Sequence, residues 1–318
     1  MIPCIYKIAY RRTMVKNIWC RKLCRDIASW PRTKSHLYSF TNAKQFTEPR
    51  YQNNISLGYI NYRVIILLLW TIIILCSMFE IGSFKPHGHN YLWPIYLTNW
   101  DLTFGFVQSI LGFIIVKKRW NLQKQKSSST PTAPATATAD HHHHHNLKYD
   151  KIVKLYWFFY TVTLTLAIGV TASYWILVYN PKYHSIDPLN IMIHVCNSIL
   201  IICDFIVTNV PLKYRHFWWS ISIILIYIIF TIIYFIAGGT DKRGKHCIYD
   251  AMDWNKPIKT ILLTGGAIIC LIIVHCLLCY LTIIKERLYS YCENNKNHEL
   301  PINYHNNDME KFHSIEIV

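Results

Sequence analysis

The chain has 318 residues, 52% of them hydrophobic, and a formal net charge of +16. The apolar residues fall in blocks too long and too uniformly apolar for the surface helices of a water-soluble domain, which excludes a pair of soluble domains. The basic residues flank those blocks, where anionic membrane lipid is the expected partner and nucleic acid is not.

In chain order, residues 1–63 read as a basic cytosolic arm. Its first 25 residues hold no acid but lack the serine content and apolar stripe of a mitochondrial presequence, so import is not expected. Cys4, Cys20 and Cys24 are expected to be reduced thiols, with palmitoylation as the alternative. Six apolar blocks follow, at about 64–84, 96–116, 155–179, 189–210, 217–237 and 261–284, each long enough to cross roughly 30 Å of hydrocarbon as a helix. The expected fold is therefore an all-α membrane protein with a six-span domain over 64–284. Residues 121–150 are of low complexity and are expected to be a disordered loop. The His141–His145 run within them reads as a compositional expansion rather than a metal site. Asp187 and Pro188 suit the N-cap and first position of the fourth span, and Gly265-Gly266 suggest close helix approach in the sixth. Residues 285–318 read as a polar cytosolic tail.

Orientation follows from Lys and Arg. Six spans place both termini on one side. That side holds 26 of the 33 basic residues: twelve in 1–63, eight in 117–154, two in 211–216 and four from 285 on. Both termini are expected in the cytosol, in the plasma membrane or the endoplasmic reticulum. The 238–260 connection is the exception, with Lys242, Arg243, Lys245, Lys256 and Lys259 on the opposite side, partly offset by Asp241, Asp250 and Asp253. Cys247 alone is expected on that side, so no structural disulfide is expected.

The fourth span carries the chemistry. Asn190, His194, Asn197, Asp204 and Thr208 recur at helical spacing and share one face. Such a stripe is costly in lipid, so it must face other helices or a wet cavity. In the second span Thr98 and Asp101 share a face. Thr98 and His194 enter the membrane from the same side at similar depth, roughly 5–8 Å below the boundary at 1.5 Å per residue. A neutral histidine suits the task of taking the proton of a threonine hydroxyl. Asn190, Asn197 and Asp101 are candidates to orient it. Asp204 lies deeper, as a structural carboxyl or a proton relay. His275 lies too deep to reach Thr98. No cofactor or metal is expected.

Several strings together carry a resemblance: YLTNWD at the second span, LNIMIHVCNSILIICDF in the fourth, PLKYRHFWW after it, and YFIAGGTDKRGKHCIYDAMDW before the sixth. The set resembles the rolling stone family of multipass membrane proteins, over about residues 60–285. That resemblance implies a role in cell–cell adhesion or myoblast-type fusion. The family is in turn distantly similar to the androgen-induced membrane hydrolases, six-span threonine hydrolases of fatty acid esters of hydroxy fatty acids. Their L-T motif falls on Thr98, the implied nucleophile, and their N-x-x-x-H motif on Asn190 and His194, the implied essential histidine. Two readings stay open: an adhesion or fusion protein without enzymatic activity, and a lipid ester hydrolase with a Thr98/His194 dyad. A transporter is less well supported, since one span alone carries a strong polar stripe and no inverted repeat is evident.

Overall fold

Among the described residues, six helices are long and apolar enough to cross a membrane. The computed structural model describes residues 44–50, 52, 54–86, 88–128, 139–181 and 185–298. The spans are α1 (Leu57–Met78), α2 (Leu97–Ser128), α3 (Ala139–Ser173), α4 (Pro188–Val207), α5 (Phe217–Ile236) and α6 (Pro257–His298). Among the described residues there are isolated β-bridges but no strand. The chain forms two units, residues up to Cys279 and residues from Tyr280. The second is described here only as helix to His298. Cys4, Cys20 and Cys24, with the arm to residue 43, lie outside the described residues.

Helix boundaries follow local chemistry. Ser56 caps α1, its hydroxyl accepting from the Tyr59 N–H at 3.3 Å. The first span therefore begins at Leu57, inside the stretch expected to be arm. Asp187 caps α4 by accepting from the Asn190 N–H at 2.8 Å, and Pro188 occupies the first turn, as the sequence indicates. α2 runs to Ser128 and the backbone of α3 begins at Ala139, so helix enters both ends of the 121–150 stretch. Residues 129–138 lie outside the described residues, as do the side chains of His141–His145.

Two local departures from α geometry matter for the site. α3 ends in a π turn over Tyr174–Val178, and α4 contains another over Met192–Cys196. A π turn adds a residue to the helical circuit and re-aims the side chains beyond it. No periodicity argument detects it.

The core lies among α1, α2, α3 and α4. Trp70, Leu102, Ile115, Tyr156, Tyr160 and Ile201 are fully buried there. α1 and α2 approach closely at Gly105, where an added Cβ would sit 2.2 Å from the Trp70 ring. A Cβ added at Gly265 or Gly266 would meet nothing within 4 Å, so they are not the close-approach site their pairing suggests. α5 turns Ile226, Ile229 and Ile233 outward, each more than half exposed. Such a face is expected against hydrocarbon and unexpected against water.

Candidate functional site

The described parts of the connections 79–96 and 179–187 meet the 237–256 connection at one end of the bundle, and the last of them is closely tied. Asp241 is buried and its Oδ1 accepts from the Arg243 and Lys245 N–H groups, each at 2.8 Å. Its Oδ2 accepts from Arg243 Nε at 2.8 Å. Arg243 and Lys245 both pair with Asp250. Lys242 pairs with Glu80, which follows α1 at φ 54°. Three of the five basic residues that weaken the orientation argument are thus held by acids. The Lys245 hydrogen bond, aided by Arg243, holds the Asp250 carboxyl below its ordinary value despite partial burial.

Beneath this connection lies a cavity of 260 Å³ whose lining includes Thr98, Asn190 and His194. Thr98 stands in the first turn of α2 and His194 in the π turn of α4; both are buried. The Tyr174 ring stacks on His194 with centroids 3.4 Å apart and planes 6° apart. Asn190 Nδ2 donates to the Tyr174 hydroxyl at 2.5 Å and to the Ser185 carbonyl at 3.0 Å. Asn190 therefore acts on the ring that packs against His194.

Tyr249 also lines the cavity. Its hydroxyl accepts from the Leu97 N–H at 2.9 Å and meets the side chains of Thr98 and Tyr227. Burial pushes this phenol above its ordinary value, so it is the neutral phenol at pH 7. The same cause raises Tyr96, whose hydroxyl accepts from the Lys242 N–H, to about 12.

The remaining candidates sit elsewhere. Asp101 and Asn197 form a fully buried pair, with Asn197 Nδ2 donating to Asp101 Oδ2 at 2.7 Å. They tie α2 to α4 without lining the cavity. Asp204 is not brought to the site. It pairs with Arg63 at 3.0 Å, both side chains being at most 1% exposed. Tyr62 also donates to Asp204, and Arg63 donates to Tyr59 and Tyr156. His275 lies apart too, between the Thr165 hydroxyl at 3.1 Å and the Lys213 carbonyl at 3.0 Å. Among the described residues no cluster of three or more His, Cys, Asp or Glu is placed to hold a metal ion.

The family model described as "Protein rolling stone" matches residues 19–294, which contain the first five spans, α6 as far as residue 294 and the whole cavity. The chain belongs to the rolling stone family. It is 33% identical over 116 residues to the protein rolling stone of Drosophila melanogaster, a match covering 36% of this chain and 42% of that protein. The chain thus spans less than half the length of that curated relative. No solved structure matches.

Within the rolling stone match, sequence reasoning overlooked Tyr174, Arg63 and the individual role of Tyr249. Tyr249 was within reach of a sequence signal, since the GGT…IY…DW segment carries much of the family resemblance. Tyr174 read as one of several aromatics in a packing helix, and nothing local sets it apart.

Proposed function

We propose that this rolling stone family member is a membrane lipid ester hydrolase, with Thr98 as nucleophile and His194 as general base. The supporting observation is that these two side chains, 96 positions apart, line one cavity at the end of the bundle. In the reaction, Thr98 Oγ attacks the ester carbonyl while His194 takes its proton. The tetrahedral intermediate collapses, and His194 returns the proton to the departing alcohol. Water then attacks the acyl-threonine, with His194 again as base, releasing the acid and restoring Thr98. The position of Thr98 in the first turn of α2 puts the cavity at the depth expected of a lipid ester carbonyl, near the headgroup boundary, and we propose that substrate enters from the bilayer.

The test is hydrolysis of a panel of lipid esters by purified protein, including fatty acid esters of hydroxy fatty acids. Thr98→Ala and His194→Ala should each remove nearly all activity, and the double variant should be little worse, as for residues acting as one unit. A fluorophosphonate probe should label the parent and not Thr98→Ala. Equal turnover in Thr98→Ala and parent sinks this reading.

A second reading, adhesion or myoblast-type fusion in the plasma membrane, is favoured by the similarity to Drosophila rolling stone. Cell–cell fusion scored with a split reporter separates the two. Fusion supported equally by parent and Thr98→Ala, with no ester cleaved by either, would favour it. Under both readings we keep the termini in the cytosol, an orientation supported by the bias of Lys and Arg.

A further inference from the structure

A second hollow adjoins the first. It is a groove of 130 Å³ among the start of α2, the end of α3, α5 and α6, walled by side chains such as Leu97, Val170, Ile224 and Leu263. Thr98, Tyr174, Val178 and Tyr249 line both hollows, so the proposed nucleophile stands where they meet. Leu177, on the groove wall, is 40% exposed, so the groove reaches the bundle surface. The two hollows differ in chemistry. The groove is walled almost wholly by carbon, whereas the cavity presents Asn99, Ser185, Asp187, Asn190, Lys85 and the Glu80–Lys242 pair.

We infer that the two hollows form one binding site for a single-chain acyl ester whose alcohol half is small and polar, a monoacylglycerol being the simplest such ligand. The inference rests on the hydrolase reading for the chemistry at Thr98. The part of the acyl chain next to the ester lies in the groove, whose carbon wall matches the hydrocarbon it leaves, so binding there comes from packing rather than from removal from water. The ester carbonyl sits at Thr98, and the polyol fills the cavity, where hydroxyls, amides and carboxylates exchange hydrogen bonds with it. A second alkyl chain would have to enter that polar cavity and strip water from its charged groups without replacing the lost hydrogen bonds. Diacyl lipids, and esters whose alcohol half is itself a long chain, are therefore disfavoured.

The test uses full-length protein in lipid nanodiscs and separates binding from turnover. Binding is read with the ether 1-O-oleylglycerol, which cannot be cleaved, as a rise in melting temperature. The parent and Thr98→Ala should both show the rise. Ala267→Phe or Ser173→Phe, each filling the groove from a different helix, should lose it; whichever elutes as the parent does serves as the variant. Turnover is read as kcat/KM for monooleoylglycerol, expected about tenfold or more above that for a fatty acid ester of a hydroxy fatty acid. Cleavage of the latter ester at an equal or higher rate, or an unchanged melting rise in the groove-filled variant, overturns the inference while leaving the hydrolase reading intact. Binding of the ether that depends on the groove, with no cleavage of any ester, upholds the site and removes the hydrolase reading. Absence of any ether binding to the parent overturns the inference outright.

Discussion

The phenol ring of Tyr174 lies flat on the imidazole of His194, their centroids 3.4 Å apart. Each residue occupies a π turn, one closing α3 and the other interrupting α4. Asn190 fixes the phenol from one turn before His194 by donating to its hydroxyl. The stacked ring thus takes part in orienting the histidine, the task that a positioned neighbour performs for the base in nucleophilic sites.

That relationship predicts a graded response. Tyr174→Ala removes the surface on which His194 rests and should lower ester turnover on the order of 10²-fold, the scale expected when a catalytic group loses its position. Tyr174→Phe keeps the stack and loses the Asn190 bond, so it should retain most of the turnover. Parallel melting curves check that both variants fold. Equal turnover in Tyr174→Ala and parent would remove the positioning role.

The Arg63–Asp204 pair makes a separate prediction about stability. Removing one member of a buried ion pair leaves the other charged and uncompensated, at a cost of about 3–5 kcal/mol. Asp204→Leu should therefore lower the melting temperature sharply, although a lone helix carrying it would insert more readily. The double variant Arg63→Met with Asp204→Leu should recover most of the loss. A double variant as unstable as Asp204→Leu alone would mean that the hydrogen bonds to Tyr59, Tyr62 and Tyr156 matter more than the charge pairing.

Much of the fold was legible because its signals are local. Span length is set by hydrocarbon thickness, and the Asp187–Pro188 start by cap chemistry. The inward aim of Asn197, Asp204 and Thr208 follows from the cost of polar groups in lipid, and all three are buried. What escaped depends on distant partners. Arg63 stands just before the apolar block and so read as the last residue of the arm, yet it lies inside α1, where Asp204, 141 positions on, neutralises it. Asp204 in turn could not be separated from the candidate site without that partner. The π turns leave no compositional trace, and Tyr249 reaches Thr98 only because its loop folds back over α2.

At Gly105, α2 lies against the Trp70 ring of α1 with no space for a side chain. A Cβ there would lie 2.2 Å from Trp70 Cζ3, and Trp70 is fully buried. Gly105→Ala should destabilise the bundle by about 1–3 kcal/mol through overpacking, despite the better helix propensity of alanine. Gly266→Ala, where nothing lies within 4 Å, should be neutral or slightly stabilising. Thermal melts of the two variants side by side provide the check. Equal melting temperatures would mean that α1 and α2 can separate at little cost.

Cys247 reports on orientation and electrostatics together. It lies in the 237–256 connection, partly buried, with its Sγ 3.9 Å from Asp250 Oδ1. Burial raises its thiol above the ordinary value, and the Asp250, Asp253 and Asp241 carboxylates raise it further. A raised value means less thiolate at neutral pH, and the thiolate is the reactive form. The basic count behind the proposed cytosolic termini falls from 26 to 25 once Arg63 is placed in the bundle, which leaves the bias intact. In sealed vesicles with the cytosolic face outward, a membrane-impermeant maleimide should therefore leave Cys247 unlabelled until the vesicles are opened. After opening, labelling should be slow at pH 7 and rise about tenfold per pH unit until the thiol is ionised. Asp250→Asn removes one nearby negative charge and should speed the reaction at pH 7, while Cys247→Ser should abolish it. Labelling of Cys247 before opening would invert the topology. A faster reaction than free cysteine at pH 7, unchanged in Asp250→Asn, would mean that the carboxylates do not act on this thiol.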